Sequence, residues 1–337
     1  MPAAPAARSV LTSVVNSERR NTMASVAIAM PSAEGRTERY REAEQALWDY
    51  YGLKTTEHFI DLDSPAVRLR VLEVGSGEPV LFVPGTAGTG PYWGSLVREL
   101  PGFRCLMLDR PGWGMSSAID YSKHEYKTVV ADVLNGALDA LGLDRAHVVG
   151  ASIGDAWALR LAVTNPSRVD RIILLGGGPL VPEISVPPFI RLLASPVGAV
   201  MVRLPMKAGR VRSIMRQSGH GASLDAGRIP GAFVDWRVTF GRDTDSMCNE
   251  RDMVRAIVSG RTFRPGLTFD DAELAGIEQP TLLVYGTADP VGTVGVWRRV
   301  VGLLPHGELR LVEGGGHVPW LDDPGQVGGD IRRFLAE

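Results

Sequence analysis

The chain has 337 residues, 45% hydrophobic and 22% charged, enough for one large α/β domain with an insertion or for two domains. Its 36 basic and 38 acidic residues leave a net charge of −2, which excludes a global field that would draw in nucleic acid or an anionic membrane. Two cysteines, Cys105 and Cys248, exclude a disulfide framework, show no metal-ligand spacing and fit a reducing cytoplasm, the expected location.

No apolar run reaches the roughly 20 residues of a membrane span. Near the start, the short apolar stretches Val10–Val15 and Val26–Met30 are separated by the polar, charged Asn16–Asn21, so no continuous signal-type core forms. Residues 1–35 are therefore expected to be a disordered leader, with Met23 an alternative start. From Thr37 to Tyr51, the residues Tyr40, Ala43, Leu47 and Tyr50 recur at helical spacing and predict an amphipathic helix.

Short apolar runs then alternate with helical ones. Strands are predicted over Arg68–Val74, Val80–Val83, Arg104–Leu108, Ala146–Val149, Arg171–Leu175, Thr281–Tyr285 and Leu309–Val312. Helices are predicted over Trp93–Leu100, Thr128–Leu141, Gly154–Thr164, Val296–Leu304 and Asp330–Ala336. Strands that are continuously apolar have both faces covered, so the fold class is α/β with a mostly parallel central sheet flanked by helices. Residues 178–279 break the rhythm with eight prolines, five of the ten methionines and no good strand pattern. They read as a helical cap inserted into a core of residues 36–177 and 280–337. An insertion at the carboxyl ends of the strands stands where ligands bind in such sheets.

The segment His147-Val-Val-Gly150-Ala-Ser152-Ile-Gly154-Asp155 has the form strand, G-x-S-x-G, helix. A nucleophile at the tip of so tight a turn sits in strained backbone, and glycine at two residues either side avoids a Cβ clash. The helix that follows turns its N-terminal N–H groups toward developing negative charge. Alone, the pattern could be an ordinary Gly-Ser turn; the apolar strand before it and the apolar helix after it give it weight.

A serine hydroxyl needs a base, and the base an orienting carboxylate. Asp289 follows the strand at Thr281–Tyr285 and His317 follows the strand at Leu309–Val312, so three loops at one sheet edge can converge in the order Ser, Asp, His. Asp109 also ends a strand, and a structural, turn-stabilising part is expected for it. For an oxyanion hole, one donor is expected from the Ile153 backbone N–H and the second from Thr86 in the loop Val83-Pro84-Gly85-Thr86-Ala87-Gly88.

Pro84-Gly85-Thr86-Ala87-Gly88, Asp109-Arg-Pro-Gly-Trp-Gly-Met-Ser116, Gly150-x-Ser152-x-Gly154, Tyr285-Gly-Thr-Ala-Asp289 and Gly315-Gly-His317 together resemble the α/β-hydrolase superfamily from about residue 59 to 337. The resemblance implies esterase-type chemistry and a helical cap over the site. Two departures stand out. Pro84 replaces the His of a common His-Gly pair, and Asp155 replaces a second glycine after the elbow, where a first-turn carboxylate is favourably placed on the helix. Serine rather than aspartate as nucleophile argues against haloalkane dehalogenase and epoxide hydrolase activity.

The expected function is hydrolysis of an ester, thioester or lactone through an acyl-enzyme on Ser152, His317 and Asp289. The alternatives are an acyltransferase or cyclase, a carbon–carbon bond hydrolase, and a non-catalytic small-molecule receptor on the same fold. No metal or organic cofactor is expected, and the partner is a small-molecule acyl substrate, with neither nucleic acid nor membrane. Trp113, Trp236 and Phe240 are candidates to line the substrate pocket. Between Glu183 and Asp225 the insertion has no acid but carries Arg191, Arg203, Lys207, Arg210, Arg212 and Arg216. The run reads first as a solvated helix face, and second as an attractant for a carboxylate-bearing substrate or a carrier protein.

Overall fold

The computed structural model describes residues 33–177 and 181–337. One eight-stranded sheet has the order β1-β2-β4-β3-β5-β6-β9-β10. Its strands are β1 (Thr56–Asp63), β2 (Ala66–Gly75), β3 (Glu78–Val83), β4 (Phe103–Asp109), β5 (Ala146–Ala151), β6 (Val169–Leu175), β9 (Thr281–Gly286) and β10 (Gly307–Val312), while β7 (Val258–Ser259) and β8 (Thr262–Phe263) form a separate small hairpin. β2 is antiparallel to β1 and β4, and the remaining pairings are parallel. Every residue of β5 and β9 is buried, which is why these strands read as continuous apolar runs. The edge strand β1 was not expected from the sequence. Its T-E-H-F-I-D-L-D buries only Ile60 and Leu62, so polar residues dilute the strand signal.

The chain opens with α1 (Ala33–Tyr51), so residues 33–35, expected in the leader, form the first helical turn; the rest of that leader lies outside the described residues. The core carries α2 (Gly94–Val97), α3 (Tyr126–Ala140) and α4 (Ile153–Thr164). Between β6 and β9 come α5 (Pro188–Ala194), α6 (Pro196–Met201), α7 (Ala208–Met215), a π turn at Arg216–His220, α8 (Gly221–Asp225), α9 (Gly231–Asp243), α10 (Ser246–Ile257) and α11 (Asp271–Ala275). α12 (Val294–Leu303), α13 (Pro319–Asp322) and α14 (Pro324–Ala336) complete the chain. α14 starts six residues before the predicted Asp330, because Asp323 caps the Gln326 N–H at 2.9 Å and Pro324 takes the first helical position.

Two clusters brace the core near the strand ends. Arg70 on β2 is buried against Glu44 of α1, Glu57 of β1 and Asp109 of β4, pinning the N-terminal helix to the sheet. Asp109 accepts from Gly90 N–H at 3.0 Å and Met115 N–H at 3.2 Å, holding the loops after β3 and β4. Burial pushes its carboxyl up to about 6 against the opposing pull of Arg70. Trp93 stacks on Trp320 with centroids 4.7 Å apart, and the Trp320 indole donates to Tyr92 O at 3.1 Å. The loop after β3 is thereby fixed to the helix that follows His317.

Candidate active site

Ser152 stands between β5 and α4 with φ +54° and ψ −118°, a conformation costly for any residue with a side chain. Its N–H donates to Leu175 O at 3.1 Å and Gly176 O at 3.2 Å, fixing the turn to the end of β6. A Cβ at Gly154 would lie 2.1 Å from Val83 O, and one at Gly150 would lie 2.6 Å from Asp155 N. The two flanking glycines are therefore steric requirements of this turn. Asp155 is buried in the first turn of α4 and accepts from Leu175 N–H at 3.1 Å, so it also ties this helix to β6.

Asp289 follows β9 and His317 follows β10. The Asp289 carboxylate bridges His317 Nδ1 with oxygens at 2.9 and 3.1 Å, and its Oδ1 also accepts from Val291 N–H at 2.8 Å. A carboxylate against Nδ1 places the imidazole proton there and leaves Nε2 as the basic nitrogen. A Cβ at Gly177 would lie 2.8 Å from His317 Cε1, so the imidazole borders the same Gly176–Gly177 turn that holds Ser152 N–H. Ser152 Oγ and His317 Nε2 are not hydrogen-bonded in this structure; in ligand-free sites this contact is often longer than in the reacting complex.

The loop after β3 passes beside the serine: a Cβ at Gly85 would lie 2.9 Å from Ser152 Cβ. Ala87 has φ +55°, and groups from outside the loop hold it. Its N–H donates to Glu250 Oε2 at 3.3 Å, and its carbonyl accepts from Arg237. Arg110 donates to Gly85 O at 2.8 Å. Between these held groups, Thr86 is half-buried, and neither its N–H nor that of Ile153 has an acceptor among the described residues. Two free N–H groups beside a serine are what an oxyanion hole requires.

Sequence reasoning did not find the residues of the insertion that reach the site. Glu250 on α10 is fully buried, accepts the Trp113 indole N–H at 2.8 Å and lies 3.7 Å from Arg110, whose guanidinium sits 4.1 Å from the Trp113 ring. On the other side, Ser218 O in the π turn accepts His317 N–H at 2.8 Å. His220 Nε2 accepts Val318 N–H at 3.2 Å, and its Nδ1 lies 2.8 Å from Asp322, which also accepts from Gly316 N–H at 2.7 Å and from Ser223. Burial opposes ionisation of Asp322, but the bonds from His220, Ser223 and Gly316 hold it below the usual carboxylate range.

The pocket candidates are placed differently from expectation. Trp113, Trp236 and Phe240 are wholly buried. Trp113 is taken up by Arg110 and Glu250, and Trp236 packs between Phe233 and Phe240. As placed they offer a ligand no surface; their size drives them into the core, where large apolar area is worth most. Thr86 in the loop after β3, Arg237 on the Ala87 carbonyl and Val291 beside Asp289 and Gly177 are half-buried. A separate open cleft of about 1320 Å³, bordered by Tyr121, Arg191, Arg255 and Arg264, contains none of Ser152, Asp289 and His317. Among the described residues, no group of three or more His, Cys, Asp or Glu could hold a metal ion, and no helix is long and apolar enough to cross a membrane.

The family model for the α/β hydrolase fold matches residues 78–204. The chain is similar to a 2-hydroxy-6-oxononadienedioate/2-hydroxy-6-oxononatrienedioate hydrolase of Paraburkholderia phymatum, 27% identical over 271 residues that cover 78% of this chain and 89% of that one. Among solved structures it is similar to 2-hydroxy-6-oxo-6-phenylhexa-2,4-dienoate hydrolase from Rhodococcus sp. strain RHA1, with a TM-score of 0.69 and 19% identity, covering 85% of this chain and 100% of that one. It is also similar to carboxylesterase CesB from Bacillus subtilis, with a TM-score of 0.67 and 18% identity, covering 89% and 98%. The family-model match and these likenesses support a place in the α/β-hydrolase superfamily and a hydrolase of that type.

Proposed function

We propose that the chain is a serine hydrolase that cleaves an acyl bond of an ester, thioester or lactone through a covalent acyl-enzyme. The carrying observation is the pairing of Asp289 with His317 Nδ1, on an imidazole that borders the turn holding the strained Ser152. Ser152 Oγ attacks the carbonyl carbon while His317 Nε2 takes its proton and Asp289 stabilises the imidazolium. The oxygen that gains the electron pair is met by the Thr86 and Ile153 N–H groups. The intermediate collapses, the leaving group departs with the proton from His317, and a water activated by His317 then releases the acid.

A second reading, carbon–carbon bond hydrolysis of a vinylogous diketone, is favoured by the likeness to 2-hydroxy-6-oxononadienedioate/2-hydroxy-6-oxononatrienedioate hydrolases. Both readings use the same serine, base and oxyanion groups. A turnover screen over p-nitrophenyl esters, acyl thioesters, lactones and vinylogous diketones, with product identification and a fluorophosphonate label, separates them. The first reading expects acid and alcohol or thiol from the esters and thioesters, with the label on Ser152. Turnover of the diketones alone would replace it with the second, and no label with no turnover would leave a ligand-binding protein.

A further inference from the structure

Seven large apolar side chains stand exposed among the described residues, and five of them fall within one stretch of sixteen residues in the insertion. Phe189 is 45% and Leu192 43% exposed on α5, Val197 and Val200 are each 63% exposed on α6, and Leu204 just beyond is 53% exposed. Each helix shows its pair at i, i+3, which puts the two members on one helix face. The opposite sense is used for packing, because Leu193 and Gly198 are buried. The corner between the helices is tightly built. Ser195 Oγ accepts Gly198 N–H at 3.3 Å, and a Cβ at Gly198 would lie 2.1 Å from Leu193 O.

The same stretch is the most unbalanced in charge. No acid lies between Glu183 and Asp225, and of the six cations only Arg216 has an acidic partner, Asp225, among the described residues. Arg203 reaches only the Ala199 carbonyl of its own helix region. Arg191, Lys207, Arg210 and Arg212 make no ion pair among the described residues. A net charge of −2 conceals this segregation, so the sequence expectation of no membrane partner, drawn from the average, does not address this face.

We propose that the α5–α6 face docks on a bilayer surface that carries anionic headgroups. Apolar side chains flanked by Lys and Arg are the pattern that inserts at the headgroup boundary while the cations meet negative lipid. A second copy of the chain fits less well, because a stable protein interface uses about 20–30 residues a side. Five apolar side chains on two short helices are far fewer, and a bilayer demands no matching shape. The proposal does not depend on the chemistry at Ser152.

Co-sedimentation of the full chain with large unilamellar vesicles tests it, comparing phosphatidylcholine alone with an equal mixture of phosphatidylcholine and phosphatidylglycerol. The expected result is at least tenfold tighter binding to the anionic vesicles, weakened by raising the salt from 50 to 500 mM as charges are screened. The paired substitution Val197→Asp with Val200→Asp should abolish that binding without lowering the melting temperature, since both side chains are exposed. Arg203→Glu with Lys207→Glu should remove the preference for anionic lipid. Equal affinity for the two vesicle types, or anionic binding unchanged in the Val197/Val200 variant, would overturn the proposal. So would light scattering that finds a dimer which the Val197/Val200 variant dissociates, because the face would then be a contact between copies.

Discussion

Replacing Glu250 by glutamine tests whether the insertion sets the geometry of the oxyanion loop. The carboxylate is fully buried, with Ala87 N–H at 3.3 Å, the Trp113 indole at 2.8 Å and Arg110 at 3.7 Å. Glutamine keeps the shape and an oxygen for the two N–H groups that share Oε2, but it loses the charge that strengthens both bonds and faces Arg110. Hydrogen bonds to a charged group contribute about 1.5–3 kcal/mol, and removing one partner of a buried ion pair costs roughly 3–5 kcal/mol. Arg110 keeps its bond to Gly85 O and its stacking on Trp113, so the lower end applies, a loss of about 3 kcal/mol. For a chain of this size that lowers the melting temperature by roughly 3–5 °C.

The catalytic effect should be separable from the stability effect. Ala87 holds a positive φ only while its N–H and carbonyl are tethered, and Thr86 N–H moves with it. Complete loss of one oxyanion donor costs about 10²–10³ in kcat, and a displacement on the order of 1 Å costs up to about 10². Glu250→Gln should therefore lower kcat on a p-nitrophenyl ester by about 10- to 100-fold with KM nearly unchanged. The rate of fluorophosphonate labelling and the affinity for a boronic acid, which both form a tetrahedral centre, should fall by a similar factor. A folded Glu250→Gln protein with unchanged kcat and unchanged boronate affinity would refute the argument.

Ser152→Ala should lose both label and turnover, and a label that maps to another serine would displace it as nucleophile. Asp289→Asn should cut kcat on the order of 10⁴, as in the analogous protease triad, because the imidazole is released into the wrong tautomer. Asp109→Asn should act on melting temperature instead; a folded Asp109→Asn variant without activity would move the acid to β4. His220→Ala leaves Val318 N–H and Asp322 without their partner, which should cost about 1–3 kcal/mol and lower kcat about tenfold through a shifted His317 loop. For pH, burial holds His147 below its ordinary value of 6.5. The unfolded chain then binds the extra proton first, so His147 contributes stability above that value that is lost as pH falls through it. His147→Gln should flatten the fall in melting temperature between about pH 7 and 5, and an unchanged slope would remove His147 as its cause.

The fold and the triad geometry were legible for one physical reason: both are written in local punctuation. A parallel strand ends, and the next few residues decide whether the chain turns, caps a helix or leaves a polar group at the sheet edge. Gly150 and Gly154 can be read because a Cβ at either would collide with backbone a few ångströms away. Asp289 and His317 can be read because one follows the wholly buried β9 and the other follows β10, which pairs directly with it. β1 was illegible because an edge strand half in water need not be apolar, and Trp113, Trp236 and Phe240 were misplaced because sequence does not distinguish an aromatic that lines a cleft from one that fills the core.

The groups of the insertion were illegible for a different reason. Glu250, Arg237 and His220 lie 163, 150 and 98 residues from the backbone atoms they bond, and no local pattern marks such pairings. Their consequence is functional. A cap read only as standing where ligands bind is a wall around a finished machine. Here its side chains hold Ala87 from both sides and Val318 beside His317, and its Ser218 carbonyl holds the His317 N–H. A substitution that moves α10 or the π turn therefore alters the oxyanion loop or the base along with the pocket. Changes of kcat and of substrate preference should thus appear together when these contacts are disturbed, and neither should appear when only the exposed α5–α6 face is changed.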